Sequence, residues 1–165
     1  MPAGCGILVA VVLLGILATV ALAKPATGHY SATGSVSFTF SIAKGRCRTP
    51  PDPSNPASSP GPFGHGLCFR TREGLIPSPP LTCPPGTSLS GDHQFDVGFF
   101  DKLRFSPSGS LVAKVYTEGS TTEYQELSLK VTGRTASGFV EQTLSIGSDG
   151  GFCDSGQLQF TAKHG

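Results

Sequence analysis

The sequence predicts an all-β protein, built as an antiparallel β-sandwich or a barrel-like meander of about 7–9 strands. Stretches of alternating apolar and polar residues follow one another along the chain, and none has the periodicity of an amphipathic helix. The 22 glycines and 14 prolines among 165 residues suit frequent turns. Charged residues make up only 14% of the chain, against about 25% in an ordinary domain. Hydroxyl side chains must therefore supply much of the polar surface.

The chain begins with an uncharged apolar run from Ile7 to Ala23, which ends in Ala-Leu-Ala before Lys24. An apolar run closed by small residues is typical of a secretory signal peptide, so we expect residues 1–23 to be removed. No Lys or Arg precedes the run, and about 17 apolar residues is the lower limit for crossing a bilayer. A retained membrane anchor is therefore the alternative. Both interpretations place residues 24–165 outside the cytoplasm, either secreted or anchored with the domain outside.

The remainder, residues 24–165, has the length of a single domain. The formal net charge of the chain is +1, and its Lys and Arg residues look scattered singly, without a basic stripe. This argues against nucleic acid as a partner. We expect an unidentified extracellular or cell-surface partner, and contact with a membrane only if the Ile7–Ala23 run is retained.

Four cysteines follow the apolar run, an even number in an oxidising compartment: Cys47, Cys68, Cys83 and Cys153. Two disulfides are the expected outcome, and three connectivities are possible. We favour Cys47–Cys68, which would clamp the base of a Pro-rich segment, and Cys83–Cys153, which would join the start of the main sheet to its last strand. Cys68–Cys83 is the competing pair. The absence of C-x-x-C spacing argues against a zinc or redox site.

The first predicted strand is Ser35–Ala43, which alternates strictly and ends at Lys44-Gly45. Its inward residues would be Val36, Phe38, Phe40 and Ile42. The segment 49–64 is rich in proline, which cannot donate backbone hydrogen bonds to a sheet. We expect this segment to be an exposed loop anchored by its flanking cysteines.

Further strands are expected along the rest of the chain, separated by turn residues such as Ser106-Pro107-Ser108-Gly109. Short connections favour a meander of neighbouring hairpins over a Greek key. The predicted strands are 67–70, 75–76, 93–100, 103–105, 110–117, 123–132, 138–146 and 157–163.

The closing part of the chain, Gly133–Val140 and then C-D-S-G-Q-L-Q-F-T-A-K from Cys153, resembles small exported all-β proteins of actinobacteria. Those proteins open with a Tyr-Ser stretch before a Val-x-Phe strand, as Tyr30-Ser31 and Val36-Ser37-Phe38 do here. The resemblance implies an exported all-β fold and a C-D-S-G cysteine paired near mid-chain. It implies no activity, and the Pro-rich insertion with its extra cysteine pair departs from the pattern.

Two groups of residues could carry catalysis. Asp154-Ser155-Gly156 is similar to the nucleophile segment of chymotrypsin-like proteases, but its flanking residues lack the glycines that shape an oxyanion hole. We expect a turn in which Asp154 and Ser155 bond their own backbone. The carboxylates of Glu123, Glu126 and Glu141 could pair for glycoside hydrolysis. Residues 123 and 126 fall on opposite faces of a strand, which argues against this.

Two other groups could bind a ligand. Possible metal ligands occur at Asp92, His93, Asp96 and Asp101, and again at Asp149, Gly150, Gly151 and Asp154, without the spacing of a calcium loop. The other candidate group consists of aromatic residues. They are more numerous than a thin core requires, although we assign them to core packing. The members of this group are Phe95, Phe99, Phe100, Tyr116, Tyr124 and Phe139.

The sequence therefore predicts an exported, non-enzymatic β-domain, an extracellular binding or structural module of unknown ligand. We expect no catalytic residue, no metal and no cofactor. The alternative is a lipocalin-like barrel that binds a small apolar ligand in its interior, and a secreted hydrolase is third. A filled core would favour the module, and an empty apolar interior would favour the barrel.

Overall fold

The computed structural model describes residues 23–55, 58–72, 74–77, 81–87, 94–117, 123–146 and 151–165. The expected signal peptide, apart from Ala23, lies outside these residues, so its cleavage stays a prediction. Among the described residues there is no helix with the length and apolar character needed to cross a bilayer.

The protein is all-β, as predicted. The described residues form ten strands and one short 3-10 helix at Val97–Phe100. The strands are β1 (Gly28–Gly34), β2 (Phe38–Arg48), β3 (Phe63–Arg70), β4 (Leu75–Ile76), β5 (Phe95–Asp96), β6 (Ser110–Thr117), β7 (Glu123–Thr132), β8 (Thr135–Ile146), β9 (Gly151–Asp154) and β10 (Leu158–His164).

Eight strands form one antiparallel sheet in the order β3-β2-β1-β10-β8-β7-β6, in which β9 also pairs with β8. Hairpins connect β1 to β3 and β6 to β8, as expected for a meander. The two halves meet where β1 pairs with β10, so the first and last of the described strands lie side by side in the middle of the sheet. The strands β4 and β5 form a separate small sheet.

The large sheet is curled, and residues before β6 extend it beyond β3. The Phe69 amide donates to the Leu103 carbonyl at 2.9 Å, and the Phe105 amide donates to the Leu67 carbonyl at 2.9 Å. A turn then brings the Ser106 amide to the Ser110 carbonyl at 2.7 Å, where β6 begins. This arrangement brings β3 and the start of β6 near each other.

Alternation along the strands gives the sheet one buried face. Phe38, Phe40 and Ile42 of β2 point inward as predicted and are at most 3% exposed. The Phe40 ring stacks on Tyr30 of β1 with centroids 5.1 Å apart and on Phe69 of β3 at 5.3 Å. Apolar burial of this kind contributes about 1.5–3 kcal/mol per large side chain.

Side chains from the segment between β3 and β6 fill the space that the curled sheet partly encloses. Five of them are at most 3% exposed and belong to the same hydrophobic cluster as the sheet residues: Ile76, Phe95, Val97, Phe100 and Leu103. The described part of the protein therefore has a packed interior. A filled core of this kind favours a module over a lipocalin-like barrel.

Several predicted boundaries were wrong. The strand β1 was missed because it contributes only Tyr30 and Ala32 to the core. Lys44-Gly45 does not end β2, which continues to Arg48. The predicted strand 93–100 gives way to the 3-10 helix because the Asp96 carboxylate accepts the Gly98 amide at 2.8 Å.

Other differences lie near the Pro-rich loop and at the C-terminal end. Phe63 and Gly64 belong to β3, and Pro51 of the supposed exposed loop is buried. β8 begins at Thr135 because Gly133-Arg134 suffices for the turn. The strand β9 lies between the predicted strands 138–146 and 157–163, where no strand was expected.

The two disulfides join the pairs that the sequence favoured, Cys47–Cys68 and Cys83–Cys153. The second bridge reaches β9 and not the last strand, which corrects its expected position. Thr82, next to Cys83, exchanges backbone hydrogen bonds of 2.8 and 3.0 Å with Asp154. The bridge thus covalently reinforces a short backbone pairing.

Candidate binding surface on the β2–β3 hairpin

The side chains of Ser155 and Asp154 bond backbone groups. Its hydroxyl accepts the Gln142 amide at 2.9 Å and donates to the Gly156 carbonyl at 2.8 Å. The Asp154 carboxylate accepts the Gly156 amide at 2.7 Å. The contacts to Gly156 are the local backbone contacts expected of a turn, whereas the contact to Gln142 joins this turn to β8.

The possible metal ligands do not assemble in the described residues. Asp92, His93, Asp149 and Gly150 lie outside them. Asp96 caps the 3-10 helix, and Asp101 lies 3.9 Å from the Arg70 guanidinium. Within the described ranges, no group of three or more His, Cys, Asp or Glu residues could hold a metal ion.

The three glutamates divide between the two faces of the sheet. Glu126 lies directly opposite Glu141 in the β7–β8 ladder and 3.9 Å from Lys114 on β6. Burial raises the pKa of Glu126, the Lys114 charge lowers it, and the Glu141 charge raises it. Glu123 lies on the inward face and accepts the side-chain amides of Gln125 and Gln142. This separation leaves Glu123 apart from the other two.

Only two of the six aromatic side chains lie in the core, so the expected assignment of the group to core packing is wrong for the other four. The buried rings of Phe95 and Phe100 stack with centroids 5.7 Å apart. Tyr116 and Tyr124 are partly exposed and pair at 5.1 Å on the outward side of β6 and β7, and Phe139 is also partly exposed. Phe99 is 40% exposed. Phe63 is more exposed than Phe99 and is not among the candidates predicted from sequence; it belongs to a surface on the β2–β3 hairpin.

This surface lies on the exposed side of the β2–β3 hairpin opposite the Cys47–Cys68 bridge, and it continues the side of β2 that is buried as far as Ile42. Arg48 faces Phe63 and Arg46 faces His65 in the antiparallel register, and cross-strand partners share a face. Alternation along β2 adds Lys44 to the same side. We call this set, which is exposed throughout, the basic face: Lys44, Arg46, Arg48, Phe63 and His65. The description of the cations as scattered singly is wrong here, because K-x-R-x-R on a strand forms a stripe.

A sharp bend in the hairpin orients the basic face. In the ladder, Cys47 pairs with Gly64 and Cys68 pairs with Ala43. Four residue steps along a flat ladder would separate the two cysteines by about 13 Å. Their Cα atoms are 5.5 Å apart, so the hairpin folds back on itself between them. The intervening pair is Gly45–Gly66, so no side chain lies at the bend.

The charges of the basic face are held without being neutralised. The guanidinium carbon of Arg48 lies 4.9 Å from the Phe63 ring centroid, and that of Arg46 lies 5.8 Å from it. Such contacts contribute about 0.5–1 kcal/mol each at an exposed site. In the described part of the chain, no carboxylate oxygen lies within 4.0 Å of the Lys44, Arg46 or Arg48 nitrogen atoms. Phe63 therefore positions the two guanidinium groups and leaves their charges available.

A groove adjoins the basic face at His65. It has a volume of about 740 Å³ and lies between the bent hairpin and the start of β6. We call it the edge groove, and its walls include Pro50, Leu67, Phe105, Pro107 and Val112. Its main charged side chain is Arg104, which donates through Nη2 to the Thr49 hydroxyl at 3.0 Å. The site thus combines apolar walls with a positioned cation.

No protein-family model, no curated protein and no solved structure matches this chain. The resemblance to exported actinobacterial proteins therefore stays a prediction.

Proposed function

We propose that the chain is exported and that residues 24–165 act outside the cell as a non-enzymatic binding module. Its partner would be an acidic polysaccharide bound at the basic face. Two disulfides suit an oxidising compartment. The packed interior favours a ligand that binds on the outer surface.

The observation that carries this proposal is the unpaired row Lys44, Arg46 and Arg48. Residues two apart on a straight strand lie about 6.6 Å from each other, and because β2 bends at Gly45 the three charges follow a curve along the exposed side of the hairpin. A polymer with regularly spaced anionic groups can contact all three at once and release its bound counterions. A single small anion could contact only part of the row.

Phe63 favours a sugar polymer. Its ring is 45% exposed and lies between the guanidinium groups, so that a sugar face could stack beside the ionic contacts. Cations on an edge hairpin also discourage sheet aggregation. That role needs only charge, whereas the proposed recognition also needs this arrangement of two arginines around a ring.

Binding of heparin, a sulfated polysaccharide, tests the proposal. The mature chain should bind it, and the affinity should fall steeply as salt rises. Arg46→Gln/Arg48→Gln should weaken binding about tenfold, since each lost ion pair at an exposed site contributes up to about 1 kcal/mol. The matched control Arg72→Gln/Lys163→Gln removes two exposed cations elsewhere and should bind like the unaltered chain.

Two results would overturn the proposal. One is equal weakening by both double variants, which would show a response to net charge alone. The other is tighter binding of single-stranded DNA of similar charge, which would replace the sugar polymer by nucleic acid. A loss of affinity in Arg46→Lys/Arg48→Lys would support recognition by guanidinium groups over a general charge effect.

A further inference from the structure

Arg104 of the edge groove is held in place over its whole length. Its backbone amide donates to the Arg48 carbonyl at 2.8 Å, and the next amide, of Phe105, donates to the Leu67 carbonyl. Its side chain bonds Thr49 through one Nη atom. The guanidinium group is therefore positioned before any ligand arrives.

Two glycines of β3 make room for this side chain. A Cβ atom built on Gly64 would lie 2.7 Å from Arg104 Nη1, and one built on Gly66 would lie 2.9 Å from Arg104 Cδ. Both distances are shorter than nonbonded atoms tolerate. The hairpin thus carries glycine at the two positions that Arg104 crosses, and a larger residue there would displace the guanidinium group.

The positive charge of Arg104 has no carboxylate partner in the described part of the protein. No carboxylate oxygen lies within 4.0 Å of its guanidinium nitrogens among the described residues. One of its five donors reaches Thr49, which leaves donors for a planar oxyanion. The adjoining walls are mostly apolar, and Val112 is 41% exposed there.

We propose that the edge groove binds a monoanionic amphiphile of the long-chain carboxylate class. The carboxylate pairs with Arg104, and the apolar chain covers Leu67, Pro107 and Val112. The volume of about 740 Å³ lies within the range of small-ligand sites, about 300–1,000 Å³. This site is separate from the polysaccharide contact proposed for the basic face and does not depend on it.

Calorimetric titration of the mature chain with dodecanoate tests the proposal. Dodecanoate should bind with one-to-one stoichiometry, whereas acetate and dodecyltrimethylammonium should not bind. Arg104→Gln should weaken dodecanoate binding at least about tenfold, the effect of losing a charged hydrogen-bonded pair. Val112→Ser should weaken it several-fold through the apolar chain.

A positioning variant and a control complete the test. Gly66→Ala keeps every charge but displaces Arg104, so it should also weaken binding; its folding is checked by thermal melting, and if it fails to fold, Arg104→Gln and Val112→Ser decide. Arg46→Gln/Arg48→Gln should bind dodecanoate like the unaltered chain, even where it loses heparin. Absence of dodecanoate binding, or full affinity in Arg104→Gln, would overturn this site and leave the basic face untouched.

Discussion

Phe38 and Phe63 are chemically identical residues whose positions give them different roles. Phe38 is 3% exposed, and its ring contacts Phe160 edge-on with centroids 5.0 Å apart. Phe63 is 45% exposed between two arginines. Strand alternation predicts the first from sequence, but the second depends on which residue faces it across the hairpin.

Phe38→Ala should lower the free energy of unfolding by about 3–5 kcal/mol, because it removes a ring from a packed core. Phe152→Ala is the matched control, since Phe152 is 52% exposed and its loss should change stability by less than about 0.5 kcal/mol. Urea unfolding of both variants measures the difference. Equal effects would show that the inward face of β2 is wrongly assigned.

Glu126 makes a pH-dependent contribution to stability. Burial raises its pKa in the folded state, so the folded protein holds that proton to higher pH than the unfolded chain does. Stability therefore falls as pH rises through this region. Glu126→Gln should remove the penalty and stabilise the protein relative to the unaltered chain at neutral pH, with the difference shrinking below about pH 4.

The contribution of Asp52 to stability should change with pH in the direction opposite to that of Glu126. Its contact with the Ser54 hydroxyl, together with the Ser54 amide, lowers the pKa of Asp52. Asp52→Asn should therefore lose stability at neutral pH and little at low pH. Urea midpoints at both pH values check the pair of variants, and the same pH trend in both would contradict this assignment.

At the scale of the element, the bent β2–β3 hairpin carries the basic face and forms one wall of the edge groove. Its bend depends on the Gly45–Gly66 pair and on the Cys47–Cys68 bridge that spans it. The other bridge, Cys83–Cys153, fixes a segment to β9, away from the hairpin. The two disulfides should therefore affect binding differently, although both limit the unfolded chain.

Removal of each bridge separately tests that difference. Cys47→Ala/Cys68→Ala should lower stability by about 3 kcal/mol and Cys83→Ala/Cys153→Ala by about 4 kcal/mol, from loop-closure entropy. Only the first pair should also reduce heparin affinity, because it releases the bend that orients the basic face. Urea melts and heparin titration of the folded fraction measure both effects. Equal loss of affinity in the two variants would contradict a specific role for the bend.

At the scale of the whole molecule, the fold class and the strands β6 and β7 follow from the sequence because their alternation is regular. The pairing of β1 with β10 does not, since it joins strands that are far apart in the sequence. The basic face was missed for a similar reason. K-x-R-x-R is readable from Lys44 to Arg48, but its partners Phe63 and His65 enter only through the register.

Export is a property of the whole chain. Signal peptidase should cleave after Ala23, so that secreted protein begins at Lys24. N-terminal sequencing of protein from the culture medium tests this. Recovery of an intact Ile7–Ala23 run in the membrane fraction would establish the anchor in its place, with the domain still outside.

The most direct test of the central claim maps the bound surface by NMR. The mature chain, labelled with nitrogen-15, is titrated with a heparin-derived oligosaccharide while amide shifts are recorded. We predict that the largest changes occur at Lys44–Arg48 and Phe63–His65, on the two strands of the bent hairpin. Largest changes on the outer face of β7 and β8, around Glu126 and Glu141, or no changes at saturating oligosaccharide, would contradict the account.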